Sequence, residues 1–250
     1  MQDGPAGWGA PLYERVLDVA GVGAGVTLLD LGCGAGVFAR AAADRGARVT
    51  GIDADPSAVA AAAVAVPAGR FAVGDAHDPP SGPFDVVAAV QLLAHVANPV
   101  AVLRAAARVG GTLAVTVWGR EQECDVRAFG EALAPWLPPR RPASGPPPLT
   151  EPARLRKVVE LAGLRVERIE QVRCPFDYPD EDALLGPLLA AGIGRMALNR
   201  AGPAAVRAAV RDRLAAHRTP DGGYRLDNLF RVLLVEPRSV PSLPAAEGNQ

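Results

Sequence analysis

Between residues 26 and 119, apolar runs of strand length alternate with alanine-rich runs of helix length, joined by short connections. "VTLLDLG" (26–32) is a short apolar run ending in glycine, and "VFARAAADRG" (37–46) has helical spacing and a glycine stop. "RVTGIDAD" (48–55) is a second strand. Asp55 and Pro56 then supply an N-cap and a first-turn proline for a helix over 56–66. "RFAVGDA" (70–76) is a third strand. "FDVVAAVQ" (84–91) is a fourth, apolar on both faces as a buried parallel strand is. Asn98-Pro99 opens a helix over 100–109, and "GTLAVTVWG" (111–119) is a fifth strand. This alternation predicts an α/β fold with a doubly wound, mostly parallel sheet.

The second half is looser. The proline-rich stretch 135–152 reads as an exposed loop or lid segment. Helical spacing resumes over 152–164, a strand is expected over 165–178, and residues 180–218 read as helix in at least two pieces broken near Gly202-Pro203. Residues 222–237 form a final strand, and the tail 238–250 reads as disordered. A chain of 250 residues, 49% of them hydrophobic, suffices for one substantial core.

Charge and cysteine content narrow the function classes. The formal net charge is -1, without the basic excess of a duplex-binding surface. No run of 18 apolar residues and no basic-then-apolar start is present, so neither a membrane span nor a signal peptide is expected. Cys33, Cys124 and Cys174 are odd in number and far apart, which fits a reducing, cytoplasmic setting and neither a disulfide framework nor a zinc site. Lys157 is the only lysine against many arginines, a pattern of GC-rich coding more than of function.

The stretch "LLDLGCGAG" (28–36) carries the chemistry. A dinucleotide turn reads G-x-G-x-x-G, but here the spacing is G-x-G-x-G and Val37 stands where the third glycine would fall. Asp30, just before the turn, is a poor neighbour for a pyrophosphate. A cationic ligand without phosphates suits it better, and S-adenosylmethionine, with its ammonium and sulfonium, is such a ligand. Asp30 would hold the ammonium, directly or through water, while the glycines admit close backbone approach.

With these residues in order, the sequence resembles the class I S-adenosylmethionine-dependent methyltransferases, in particular the small-molecule group that includes quinone-biosynthesis and natural-product enzymes. The resemblance runs over about residues 8–119, with a weaker echo to 237. It implies that "LDLGCGAG" contacts the methionine part through Asp30, Gly32, Cys33, Gly34 and Gly36. In "GIDAD", Asp53 would take both ribose hydroxyls, with Ala54 beside it. In "VGDAHDPP", Asp75 would accept from the adenine amino group and the Ala76 amide would face the ring. "FDVVAAVQLLAHV" would line the methyl end, and "ARVGGTLAVTVWG" matches the following turn and strand. The family implies a seven-stranded Rossmann-like sheet whose last strand, about 224–237, is antiparallel. It also implies a single domain over 1–237, with a cofactor core at 8–119 and substrate-capping insertions at about 120–160 and 180–220.

The expected reaction is in-line transfer of a methyl group to a small, largely apolar acceptor, with oxygen favoured over carbon or nitrogen. The alternative keeps the fold and the cofactor but serves as a cyclase, an isomerase or a binding module. A nicotinamide oxidoreductase is disfavoured by Asp30 and Val37. His95, after the fourth strand, is the candidate base; otherwise it caps a helix or packs under the cofactor. Gln91 touches the methionine part or the substrate, or is a satisfied strand-end polar group. Tyr13 closes over the cofactor or is a core aromatic. Trp118, ending the fifth strand, points to the substrate side. Trp136, Phe129, Phe176, Tyr178 and Met196 line an acceptor pocket or pack the capping part. His77 reads as surface, and His217 as a cation at a helix end. "DPP" at 78–80 reads as a turn, because the amino-methyltransferase motif it echoes belongs after the fourth strand and needs an aromatic where Ser81 stands. No metal, nucleic-acid or membrane partner is expected, and monomer and homodimer both remain open.

Overall fold

The computed structural model describes residues 4–139, 146–190 and 192–237. Seven strands form one sheet: β1 (Thr27–Leu31), β2 (Arg48–Asp53), β3 (Arg70–Val73), β4 (Phe84–Ala89), β5 (Gly110–Trp118), β6 (Leu164–Tyr178) and β7 (Tyr224–Pro237). Their order across the sheet is β3-β2-β1-β4-β5-β7-β6. The first five strands are parallel, and β7 runs antiparallel to both β5 and β6, as expected for the last strand. The chain reverses its direction of winding between β1 and β4, and ligands of such sheets bind beyond the carboxyl ends of the strands at that point.

The helices are α1 (Ala10–Val19), α2 (Val37–Asp44), α3 (Pro56–Ala65), α4 (Pro99–Val109), α5 (Arg127–Leu133), α6 (Pro152–Leu161), α7 (Glu181–Ala190) and α8 (Gly192–Arg213). The caps read from the sequence form: the Asp55 carboxylate accepts from the Ser57 amide at 2.8 Å, and Asn98 Oδ1 accepts from the Ala101 amide at 3.1 Å. Within α8, Gly202 at φ 76° breaks the helix just before Pro203, where the sequence predicted the break.

Each face of the sheet has its own core. On one face Leu12, Val16 and Leu17 of α1 and Phe38, Ala39 and Ala42 of α2 pack against Leu28, Val86, Ala88 and Ala114. That core continues upward through Phe129, Leu133, Leu184, Leu185, Val206 and Val210 of α5, α7 and α8. On the other face Val102, Leu103 and Ala106 of α4 pack with Leu155, Val158 and Val159 of α6 against Leu29, Val87, Val115 and Leu233. So α6, although it lies within the 120–160 stretch expected to cap a substrate, is a layer helix of the sheet. Its apolar side is matched to β6 and α4, and helical spacing alone does not reveal which layer a helix joins.

The β6–β7 pair outgrows the sheet. β5 pairs with β7 only from Leu113↔Val235 to Trp118↔Phe230, whereas β6 follows β7 out to Tyr178↔Tyr224. The two strands therefore rise about 20 Å past the end of β5, at about 3.3 Å per residue. α7 and α8 are carried at their tip. Of the proline-rich stretch, residues 140–145 lie outside the described residues, as does the tail 238–250. The flanking Pro138, Pro139, Pro146, Pro147 and Pro148 are exposed, as expected of a loop.

Candidate cofactor site

The glycine turn sits between β1 and α2 at the winding reversal. The Gly32 and Cys33 amides donate to the Ile52 carbonyl at 2.8 and 3.0 Å, and the Gly36 amide closes the turn on the Cys33 carbonyl at 3.0 Å. Gly32 has φ 69°, and a Cβ there would stand 2.7 Å from Leu92 Cδ1. Gly36, at φ 82°, would place a Cβ 2.8 Å from Ala62 Cα in α3. Both positions combine left-handed backbone with close approach, so only glycine fits. Over Gly34 the space is open.

Asp30 lies beneath this turn, 1% exposed, and its Oδ2 is buried without a hydrogen-bond partner. Burial, with the nearby Asp53 charge adding to it, pushes the Asp30 carboxyl up to about 8. A buried carboxylate oxygen without a donor is costly unless a ligand supplies one. An ammonium group does so, which is the fit expected of a ligand with a cationic head. Asp53, at the end of β2, is aimed by main-chain groups: Oδ2 accepts from the Gly34 amide and Oδ1 from the Asp55 amide, both at 2.9 Å. Each oxygen keeps a second lone pair for a hydroxyl donor. Ala54 is exposed beside it.

On the adjoining edge, Asp75 is exposed and Ala76 buried. The Asp75 carboxylate accepts from the His77 amide at 2.9 Å and lies 2.6 Å from His77 Nδ1. The amide bond, then the ring, hold it below the usual carboxylate range. His77 is thus paired with the residue expected to meet an adenine, an engagement that the surface reading did not foresee. The hydrogen-bonded turn falls just before "DPP", with the Asp78 amide on the Asp75 carbonyl at 2.9 Å, and Pro79 and Pro80 continue without regular structure. The Cys33 thiol is buried, and burial followed by the Asp30 and Asp53 charges pushes it up to about 12, so it is no nucleophile.

Gln91, just past β4, has φ 56°, the only non-glycine residue with a positive φ among the described residues. Its amide and its side-chain Nε2 both donate to Thr116 Oγ1 at 2.9 Å, and Thr116 on β5 is wholly buried. Sequence reading missed Thr116; its signal is a lone hydroxyl in the apolar run "LAVTVW". It also missed the Glu123–Arg231 pair beyond β5, where Arg231 Nη2 donates to Glu123 Oε2 at 2.6 Å. The signal there is one arginine inside the apolar "LFRVLLV".

His95 is exposed in the turn after β4, its amide on the Leu92 carbonyl at 2.8 Å. Tyr13 is half-buried, its ring 5.8 Å from that of Phe38 and 6.2 Å from that of Trp8. The Trp118 ring joins an aromatic group with Phe230 at 4.4 Å, Phe176 at 5.9 Å and Trp8 at 6.4 Å. Phe129 and Phe176 are buried in the first core, Trp136 and Tyr178 pack against it, and Met196 is 39% exposed on α8. His217 Nδ1 lies 3.5 Å from Asp125 Oδ2. Among the described residues no cluster of three or more histidine, cysteine or acidic side chains is placed to hold a metal ion, and no helix is long and apolar enough to cross a membrane.

The family described as "Methyltransferase domain" matches residues 29–115. A ubiquinone biosynthesis O-methyltransferase from Thiobacillus denitrificans is 32% identical over 171 residues, which cover 64% of this chain and 73% of that enzyme. The chain belongs to the class I methyltransferase family. An enzyme of the same name from Pseudomonas paraeruginosa is 38% identical over 106 residues, covering 40% of this chain and 46% of that protein. The chain thus spans about half the length of that relative. Among solved structures, the cyclase SpnF superposes with a TM-score of 0.57 at 24% identity, covering 90% of this chain and 80% of that one. The YcgJ protein of Bacillus subtilis superposes with a TM-score of 0.58 at 17% identity, covering 90% and 97%. These likenesses show a shared fold over about 90% of the chain.

Proposed function

We propose that the chain is an S-adenosylmethionine-dependent methyltransferase acting on a small, largely apolar molecule in the cytoplasm, at oxygen ahead of carbon or nitrogen. The observation that carries this reading is the buried, partnerless Asp30 oxygen under a glycine turn, next to an Asp53 already aimed by two amides. Asp30 would hold the cofactor's ammonium, Asp53 the ribose hydroxyls, and Asp75 with the Ala76 amide the adenine. When bound, the cofactor supplies a methyl group already activated on sulfonium.

The chain's own contribution is then mostly alignment, worth up to about 7–11 kcal/mol in favourable intramolecular cases. Gln91, locked onto Thr116, fixes the wall beside the glycine turn. α5, α7 and α8 would cover the acceptor and exclude water. His95 stands after β4, where it would take a proton from an acceptor hydroxyl. The O-methyltransferase name of the relatives favours oxygen as the acceptor atom.

Calorimetric titration with S-adenosylmethionine and S-adenosylhomocysteine tests the reading. Wild type binds both, and Asp53→Ala weakens binding at least about tenfold, the loss of charge-assisted hydrogen bonds. No binding to wild type would overturn it. Product mass then distinguishes transfer, a gain of one methylene, from isomerisation.

A further inference from the structure

Just beyond β5, two arginines share one carboxylate. Arg231, 3% exposed on β7, donates to Glu123 Oε2 at 2.6 Å and reaches the Thr150 carbonyl at 3.5 Å. Arg120 gives its main-chain N–H to the same oxygen at 2.7 Å and its Nη2 to Glu123 Oε1 at 2.9 Å. The side-chain bond from Arg120 comes first among the causes holding the Glu123 carboxyl at about 2, so it stays charged. A single negative charge cannot neutralise two guanidinium groups, and buried Arg231 has no solvent to screen it. Arg231 is enclosed, so the guanidinium that a ligand can reach is that of Arg120.

Arg120 differs from an ordinary surface arginine. Its side chain is 40% exposed, yet its Nε is buried with no hydrogen-bond partner. Glu151 acts on it through space without a direct contact. An orphaned Nε behind an open guanidinium tip marks a side chain held for a partner the chain does not itself supply. Its position matters too. Arg120 follows Trp118 and Gly119 at the carboxyl end of β5, the strand next to β4, whose end leads to Gln91. The acids Asp30, Asp53 and Asp75 lie at the β1–β3 end of the same edge. Arg120 therefore sits at the opposite end of that edge from the three acids.

We propose that Arg120 is a specificity residue that binds a carboxylate on the methyl acceptor, its guanidinium held in place by Glu123 over Arg231. The acceptor is then an apolar body bearing an acid group. This deepens the methyltransferase reading and rests on it for the word acceptor, although the anion site can be measured separately.

Benzoate and benzamide, equal in shape and different in charge, are titrated calorimetrically into wild type, Arg120→Gln and Arg120→Lys, with and without saturating S-adenosylhomocysteine. Wild type is expected to bind benzoate at least about tenfold tighter than benzamide. Arg120→Gln removes that preference and leaves S-adenosylhomocysteine binding unchanged, and Arg120→Lys keeps part of it. A wild type that does not distinguish the two probes, or an Arg120→Gln protein that still does, overturns the proposal. A wild type that prefers benzoate but binds no S-adenosylhomocysteine keeps the anion site and overturns the methyltransferase reading instead.

Discussion

Two ionisable side chains are almost fully buried at the upper edge of the sheet, and they are treated in opposite ways. Arg231 on β7 is matched inside the protein by Glu123 and the Thr150 carbonyl. Asp30 on β1 has an oxygen matched by nothing in the chain. A buried ion that the chain neutralises is a structural clasp. A buried carboxyl that it leaves open is an invitation to a ligand, and the difference separates the half of the edge that holds the fold from the half proposed to hold a small molecule.

The sharpest way to break the comparison is to turn Arg231 into a second Asp30. Glu123→Ala strands the guanidinium in the interior and is expected to cost about 3 kcal/mol. Chemical denaturation reads this directly, and a loss below about 0.5 kcal/mol would mean that Arg231 finds water or another partner.

Asp30→Asn works from the other side. The Asp30 carboxyl titrates near 8 in the folded chain, above its ordinary range, so the folded state holds its proton where the unfolded chain has released it. Stability without ligand therefore falls as pH rises from about 4 to about 8, at up to about 1.4 kcal/mol per pH unit. Asp30→Asn removes that slope while weakening cofactor binding at neutral pH. A wild-type stability that is flat over this window would refute the assignment of an uncompensated carboxyl.

A smaller effect is expected at the seam between the two halves. Thr116→Val deletes the acceptor of both Gln91 bonds and should cost about 1–3 kcal/mol, with kcat reduced more than cofactor affinity. Thr116→Ser, which keeps the hydroxyl, should restore turnover. If Val keeps turnover where Ser loses it, the methyl group and not the hydrogen bonds is what matters. The smallest effect belongs to His95→Ala, within about 0.5 kcal/mol in stability because the side chain is exposed. His95 is the proposed base, so its loss lowers kcat for hydroxyl acceptors, read from initial rates at saturating acceptor.

The half proposed to hold a ligand was legible as structure in the sequence because its parts are local. The glycine turn, the strand-end acids and the helix caps each occupy a few consecutive residues, and period-2 and period-3.6 patterns flag the elements between them. The clasp half was not. Glu123 and Arg231 meet only because β7 folds back beside β5, and nothing local to "RVLLV" names a partner across 108 positions. Thr116 was invisible for the same reason, since its role is set by a neighbouring strand and by an unusual backbone angle at Gln91. α6 shows a further limit: its apolar stripe was readable, but its layer was not.

The long arms of β6 and β7 have a consequence for how such a protein changes over generations. Tyr178 and Tyr224 face each other in register, so the 45 residues between them, α7 and α8 included, are topologically the loop of a hairpin. Lengthening such a loop costs the chain little, about 0.6 kcal/mol for each doubling, because its ends are already joined by the ladder beneath. The covering helices can therefore be traded for others while the glycine turn and its acids stay as they are. On the proposed function, new acceptors become reachable by rewriting one insert, with the residues proposed to hold the cofactor left in place.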